Sequence, residues 1–162
     1  MWFLLFISFL ILLRLFELLV ARRNEKWILS KGAIEYGASH YPWMVALHTG
    51  FILSLIGEYL FRGPFAPNYF LLFFYIITII LKIAVISSLG KYWNTKIYRI
   101  PGSVPVKQGA YKYIRHPNYI IVIIEIAIIP LIFHLYFTAI IFTILNALML
   151  KVRIREENNA WR

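Results

Sequence analysis

From Tyr119 to Leu150 the chain carries no Lys or Arg, and this apolar stretch constrains the fold more than any other feature. At ~1.5 Å rise per residue a single helix over it would reach ~48 Å, well beyond a ~30 Å hydrocarbon core. Pro130 and His134 lie near its middle, so the stretch is expected to break there into two short helices that form a hairpin. Three further apolar runs precede it. Met1–Val20 is interrupted only by Arg14 and Glu17, Trp43–Phe61 follows Pro42, and Tyr69–Leu89 contains Lys82. With 61% hydrophobic and 15% charged residues, a chain this short could not hide its apolar side chains from water in a soluble domain. The expected fold class is an all-α, polytopic membrane helical bundle with about five transmembrane helices and a C-terminal helical hairpin.

The first run has no positive charge ahead of it and is followed by Arg22, Arg23 and Lys26, the pattern of a retained span rather than a cleaved signal peptide. Arg14 and Glu17 stand three apart on one helical face and can pair toward the bundle interior. The remaining cations sort by connection: four Lys/Arg in 21–42, only Arg62 in 62–68, six in 90–118 and four in the tail. Five spans put every rich segment on one side. The positive-inside rule then places the N-terminus outside, and the 90–118 loop and C-terminus in the cytosol. A four-span alternative, with 119–150 as one kinked helix, would separate the tail from the loop. The net charge of +10 thus reads as attraction to anionic headgroups rather than to nucleic acid. Cysteine is absent, which removes disulfides and thiolate chemistry, and the scattered histidines offer no metal-ligand spacing.

The 90–118 segment is too polar to span and too patterned for a tail, with Pro101, Gly102, Pro105, Gly109 and four tyrosines among its cations. It ends in Arg115-His116-Pro117-Asn118-Tyr119, enters the hairpin, and the hairpin returns to Arg153-Ile154-Arg155-Glu156-Glu157. Two distant polar clusters therefore meet at one membrane face. Arg153 and Glu157 are four apart and share a side if the last helix continues into the tail. Glu125 is an intramembrane acid that must face a tunnel or be paired, with Lys82 as its candidate partner.

Leu89-Gly90-Lys91-Tyr92-Trp93, Pro105-Val106-Lys107-Gln108-Gly109-Ala110-Tyr111, Arg115-His116-Pro117-Asn118-Tyr119 and the terminal Arg153–Glu157 cluster, taken as a set over residues 87–161, resemble the isoprenylcysteine carboxyl methyltransferase family. Two positions depart from the family pattern: Ser103 stands where many relatives have histidine, and Ala110 where a proline is usual. The apolar runs give a single membrane domain over 1–162 with three spanning helices in 1–89, and the resemblance implies that 90–162 is a cofactor-binding loop, hairpin and cytosolic tail. It implies S-adenosylmethionine as cofactor and a lipidic small-molecule acceptor. By position, Ser103, Val104, Pro105, Val106 and Tyr111 would line the cofactor, with His116, Pro117, Asn118 and Tyr119 at the start of the helix that cradles it. Glu157 would be the cofactor-binding carboxylate and Arg153 the residue that reaches the acceptor. Apart from the resemblance, a hydroxyl acceptor would need a general base, for which His116 and Glu125 are the catalytic candidates. Arg153 suits a carboxylate or acidic hydroxyl. The competing functions are a nicotinamide-dependent membrane reductase and a non-catalytic membrane scaffold. Oligomeric state is left open.

Overall fold

Each apolar run becomes a helix in the computed structural model, which describes residues 1–161. The helices are α1 (Trp2–Ser30), α2 (Tyr41–Arg62), α3 (Tyr69–Leu89), α4 (Pro117–Ile132) and α5 (Tyr136–Ala160). Their ends carry the expected local chemistry. Pro42 sits in the first turn of α2 and Gly63 ends it at φ +91°. Asn68 caps α3 by accepting from the Leu71 amide at 3.1 Å, satisfying one of the donors a helix start leaves open. The hairpin breaks where proline and histidine foretold: α4 stops at Ile132, His134 takes the left-handed φ of +59°, and the Leu135 amide turns back to the Pro130 carbonyl at 2.9 Å.

End-to-end contacts fix the topology. At one end Phe3 of α1 stacks on Tyr59 of α2 (3.7 Å) and meets Phe133 edge-on. There the Asn68 amide also donates to the Ile132 carbonyl at 2.7 Å, and Glu58 accepts from the Thr138 amide at 2.8 Å. At the other end Asn24 donates to the Trp93 carbonyl at 2.7 Å, and Arg153 of α5 reaches Tyr119 of α4. The five helices therefore alternate in direction, and α4 runs from one end to the other. Four are long and apolar enough to cross a membrane by themselves, whereas α4 has only 16 residues. It is the most enclosed: Glu125, Ile126, Ile129 and Ile132 have no exposed surface, so its shortness is matched by protein rather than lipid. Outward-facing Leu4, Phe61, Phe70 and Ile80 form part of the lipid-facing surface.

Two features lie outside the expectation. α1 continues ten residues past Val20, through charged Arg22, Arg23 and Lys26, to Ser30. Polarity ends a span but not a helix, and only Gly32 at φ +78° turns the chain. The connections after α1 and α3 also pair as a small antiparallel ribbon, β1 (Ile34–Tyr36) with β2 (Ile97–Arg99), Glu35 opposite Tyr98. Lys96 reinforces it by reaching Glu25 at 2.8 Å and Glu35 at 3.6 Å. The Asn94 amide group donates to the Ala21 carbonyl, so the long third connection is strapped to the projecting end of α1.

Candidate functional site

The strap holds the 90–118 loop over the ends of α4 and α5 and encloses a cavity of about 570 Å³, within the range that accepts a cofactor-sized ligand. Its walls include Ser103, Val104, Pro105, Val106, Tyr111, His116, Asn118, Tyr119, Arg153 and Glu157. Of the residues proposed for the cofactor only Pro117 is off the wall; it is buried in the first turn of α4, where its fixed φ starts the helix. Gly109 has a specific reason to be glycine: at φ +52° a Cβ would lie 2.9 Å from the Ser88 Cβ, so the loop could not pass the end of α3. The Ser103 hydroxyl donates to the Ile100 carbonyl at 2.7 Å, pinning the turn that opens the Ser103–Val106 wall.

At the mouth of the hairpin the polar groups form one connected set. α5 runs unbroken through Ala160, which puts Arg153 and Glu157 on one side a turn apart. The Tyr119 hydroxyl donates to Glu157 and accepts from Arg153 Nε at 2.9 Å. Arg153, only 8% exposed, also lies over the Tyr119 ring at 5.4 Å and against the Met44 sulfur of α2. The His116 ring stacks on Tyr119, centroids 5.1 Å apart, with Nδ1 3.4 Å from Glu157. Burial lowers the His116 pKa against the opposing pull of Glu157, so the imidazole is neutral near pH 7. Burial likewise raises the Tyr111 phenol above its ordinary value, keeping it a neutral hydroxyl.

Glu125 is placed elsewhere. Its carboxylate, with no exposed surface, takes Lys82 on both oxygens at 3.0 Å and Arg14 at 3.0 Å. Glu17 completes the cluster by pairing with Arg14 at 2.8 Å and with Lys82. Glu125 is on the wall of neither this cavity nor the next one.

A second cavity of about 330 Å³ lies deeper, between α1, α2, α4 and α5, walled largely by apolar side chains such as Ile11, Leu15, Val45, Ile52 and Leu53. Leu15, Val45 and Leu53 are also exposed on the outer surface, so it reaches the lipid-facing side of the α1–α2 pair. The two cavities share Trp93, Asn94, Asn118, Tyr119 and Arg153. Trp93 and Asn94 had no assigned role in the sequence reading. Asn94 follows the Gly-Lys-Tyr-Trp stretch directly, and its importance comes from a contact with α1 that is distant in sequence.

Comparison with known proteins decides the relationship. Residues 69–162 match the sequence model of the isoprenylcysteine carboxyl methyltransferase (ICMT) family. The chain belongs to the ICMT family. The matched region begins at α3 and so extends upstream of the motifs that carried the resemblance. Along nearly its whole length the chain is also similar to an uncharacterized protein of Bacillus subtilis (strain 168), YpbQ, at 45% identity over 98% of this chain and 95% of that protein. An uncharacterized protein of Haemophilus influenzae (strain ATCC 51907 / DSM 11121 / KW20 / Rd) is 30% identical over 91% of this chain and 88% of its own length. No solved structure matches. ICMT-family membership supports S-adenosylmethionine-dependent methyl transfer to a lipidic or membrane-associated acceptor and sets it ahead of nicotinamide chemistry or a scaffold role. Several long apolar helices make the protein a multi-pass membrane protein.

Proposed function

We propose that the protein transfers a methyl group from S-adenosylmethionine, held in the loop-side cavity, to a carboxylate or acidic hydroxyl of a lipid whose tail occupies the deeper cavity. The observation that carries this reading is the shared wall: Tyr119 and Arg153 border a chamber of mixed polar and apolar lining on one side and a largely apolar one on the other. Methyl transfer needs the two reactants aligned and desolvated more than it needs covalent assistance. A shared boundary between two chambers provides that arrangement.

The chamber suits the cofactor in kind. Glu157 supplies a carboxylate for a cationic or amino-bearing ligand, and the Ser103–Val106 turn and Tyr111 supply backbone and a flat side chain for a nucleoside. S-adenosylmethionine contributes an electrophilic methyl on a positively charged sulfur, a good leaving group. Tyr119, held by Arg153 and Glu157 together, fixes the spacing of the two charged groups. Arg153 has N–H donors beyond the one spent on Tyr119, and its guanidinium orients an anionic oxygen at the chamber boundary. An acceptor already ionised requires no base. For a hydroxyl acceptor, the neutral His116 ring is the proton-accepting group on the chamber wall. Glu125 acts at one remove, by holding Lys82 and Arg14. The cation distribution supports a cytosolic loop and tail with the N-terminus outside.

The test is calorimetric titration of detergent-purified protein with S-adenosylmethionine, alongside Glu157→Gln and His116→Ala. Binding by wild type that is lost or strongly weakened in both variants is the expected result. A folded wild-type protein that fails to bind, with and without added lipid, would refute the proposal.

A further inference from the structure

The deeper cavity is not apolar throughout, and its polar part is unused by the reading above. Asn146 of α5 is 3% exposed and lies on the cavity wall, yet its side chain makes no hydrogen bond among the described residues. Neither does the exposed Thr49 of α2, which shares the wall. Arg14 completes the group. Two of its N–H bonds go to Glu17 and Glu125, its side chain keeps 20% exposure, and it too borders the cavity. A guanidinium has five donors, so Arg14 retains hydrogen-bonding capacity there. An amide without a partner inside a membrane bundle is costly, because no bulk water reaches it. The amide, the hydroxyl and the spare guanidinium donors stand on the wall of one largely apolar cavity, with Glu17, His48 and Lys82 among its other polar members.

Position along α5 gives this polar foot a measure. Asn146 precedes Arg153 by seven residues, two turns on nearly the same helical face, or about 10 Å along the axis. Resting on the assignment of this cavity to the methyl acceptor, we propose that the acceptor is a bifunctional lipid. Its reacting oxygen meets Arg153 and Tyr119, and a second hydroxyl or carbonyl about 10 Å along hydrogen-bonds to Asn146, Thr49 and Arg14. Asn146 is then a specificity-determining residue. It offers both a donor and an acceptor, so it can receive a hydroxyl or a carbonyl, whereas a plain alkyl or prenyl chain would leave it unpaired.

The experiment compares two probes on the detergent-purified full chain: hexadecanoic acid and the same acid hydroxylated in mid-chain. Binding of each is measured to wild type, Asn146→Leu and Thr49→Val, with S-adenosylmethionine binding and helical circular dichroism as folding controls. Wild type should hold the hydroxylated acid about tenfold more tightly, Asn146→Leu should abolish the preference, and Thr49→Val should reduce it about threefold. These expectations correspond to one strong and one weaker hydrogen bond. Equal binding of the two acids by wild type, or a preference that survives both substitutions, overturns the bifunctional-acceptor proposal and leaves the cavity as a tail site. Failure of both acids to bind folded, cofactor-binding wild type overturns this proposal together with the assignment of the cavity to the acceptor. Thr49→Val decides the matter should Asn146→Leu fail its folding controls.

Discussion

Two ionised clusters occupy the same helical bundle and are built on opposite terms. Arg14, Glu17, Lys82 and Glu125 balance in charge and bond mainly to one another, with three hydrogen bonds from Lys82 and Arg14 converging on a Glu125 carboxylate that has no exposed surface. His116, Tyr119, Arg153 and Glu157 hold one another more loosely and open onto the loop-side cavity. The first set staples α1, α3 and α4. The second leaves hydrogen-bonding capacity pointing at space. An ionisable residue inside a membrane is thus only half an argument for function; the other half is whether its neighbours have already satisfied it.

The contrast breaks most sharply at Glu125. Glu125→Gln strands Lys82 and Arg14 beside a single remaining carboxylate, and the loss should be about 3–5 kcal/mol, as for other buried pairs that lose one member. It should be read as a fall in the thermal unfolding midpoint in detergent. The double change Lys82→Met with Glu125→Leu removes one charge of each sign and should cost less than Glu125→Gln alone. If the double variant is the worse of the two, the cluster is not an electrostatic staple. At the open cluster, Glu157→Gln should weaken S-adenosylmethionine binding tenfold or more while the unfolding midpoint hardly moves, because the group it leaves is bathed by the cavity. Arg153→Lys keeps the charge but loses the planar fork, so it should retain cofactor binding and lose most methyl transfer to added lipid extract, followed with a labelled methyl group. Farther out, Glu25→Gln on α1 removes a partly exposed pair with Lys96 of the loop strap and should cost only about 0.2–1 kcal/mol, seen as faster proteolysis within 90–116 rather than as a shifted midpoint.

The difference between the clusters also marks how far the sequence could be read. The apolar runs, the break at Pro130–His134 and the Arg14–Glu17 spacing each follow from a local rule, and all three stand in the fold. The return of Arg153 and Glu157 to the Tyr119 end of α4 follows from the hairpin alone. What was not legible depended on contacts between connections. The β1–β2 ribbon joins segments over sixty residues apart, each only three residues long, with no turn signal between them. Asn24 and Asn94 look like ordinary loop-flanking polar residues until Asn24 is seen holding Gly90 and Trp93, and Asn94 holding Ala21. The deeper cavity escapes for a related reason. A void between helices depends on which faces turn inward, and the all-round apolar character of α1 and α3 hides that choice.

The smallest expected effect tests the open cluster by its protons. Burial lowers the pKa of His116 from its ordinary value of 6.5 despite the nearby carboxylate of Glu157. Between that depressed value and 6.5 the unfolded chain binds a proton that the folded chain does not. Stability therefore rises with pH across this window: the contribution is fully present above 6.5 and is lost as pH falls through the folded-state pKa. His116→Asn removes the titration, so the unfolding midpoint of wild type should drop more than that of the variant when pH is lowered from neutrality into the window. Cofactor binding should sharpen the same slope. A cationic ligand beside Glu157 disfavours a second positive charge on His116, so S-adenosylmethionine affinity should weaken on acidification in wild type and stay flatter in the variant. The closed cluster provides the internal comparison, since its four charges already face one another and none depends on a ligand for its balance. A pH slope that is identical in wild type and His116→Asn, with and without cofactor, would mean that His116 is as fully satisfied as Glu125, and the distinction between the two clusters would fail at this residue.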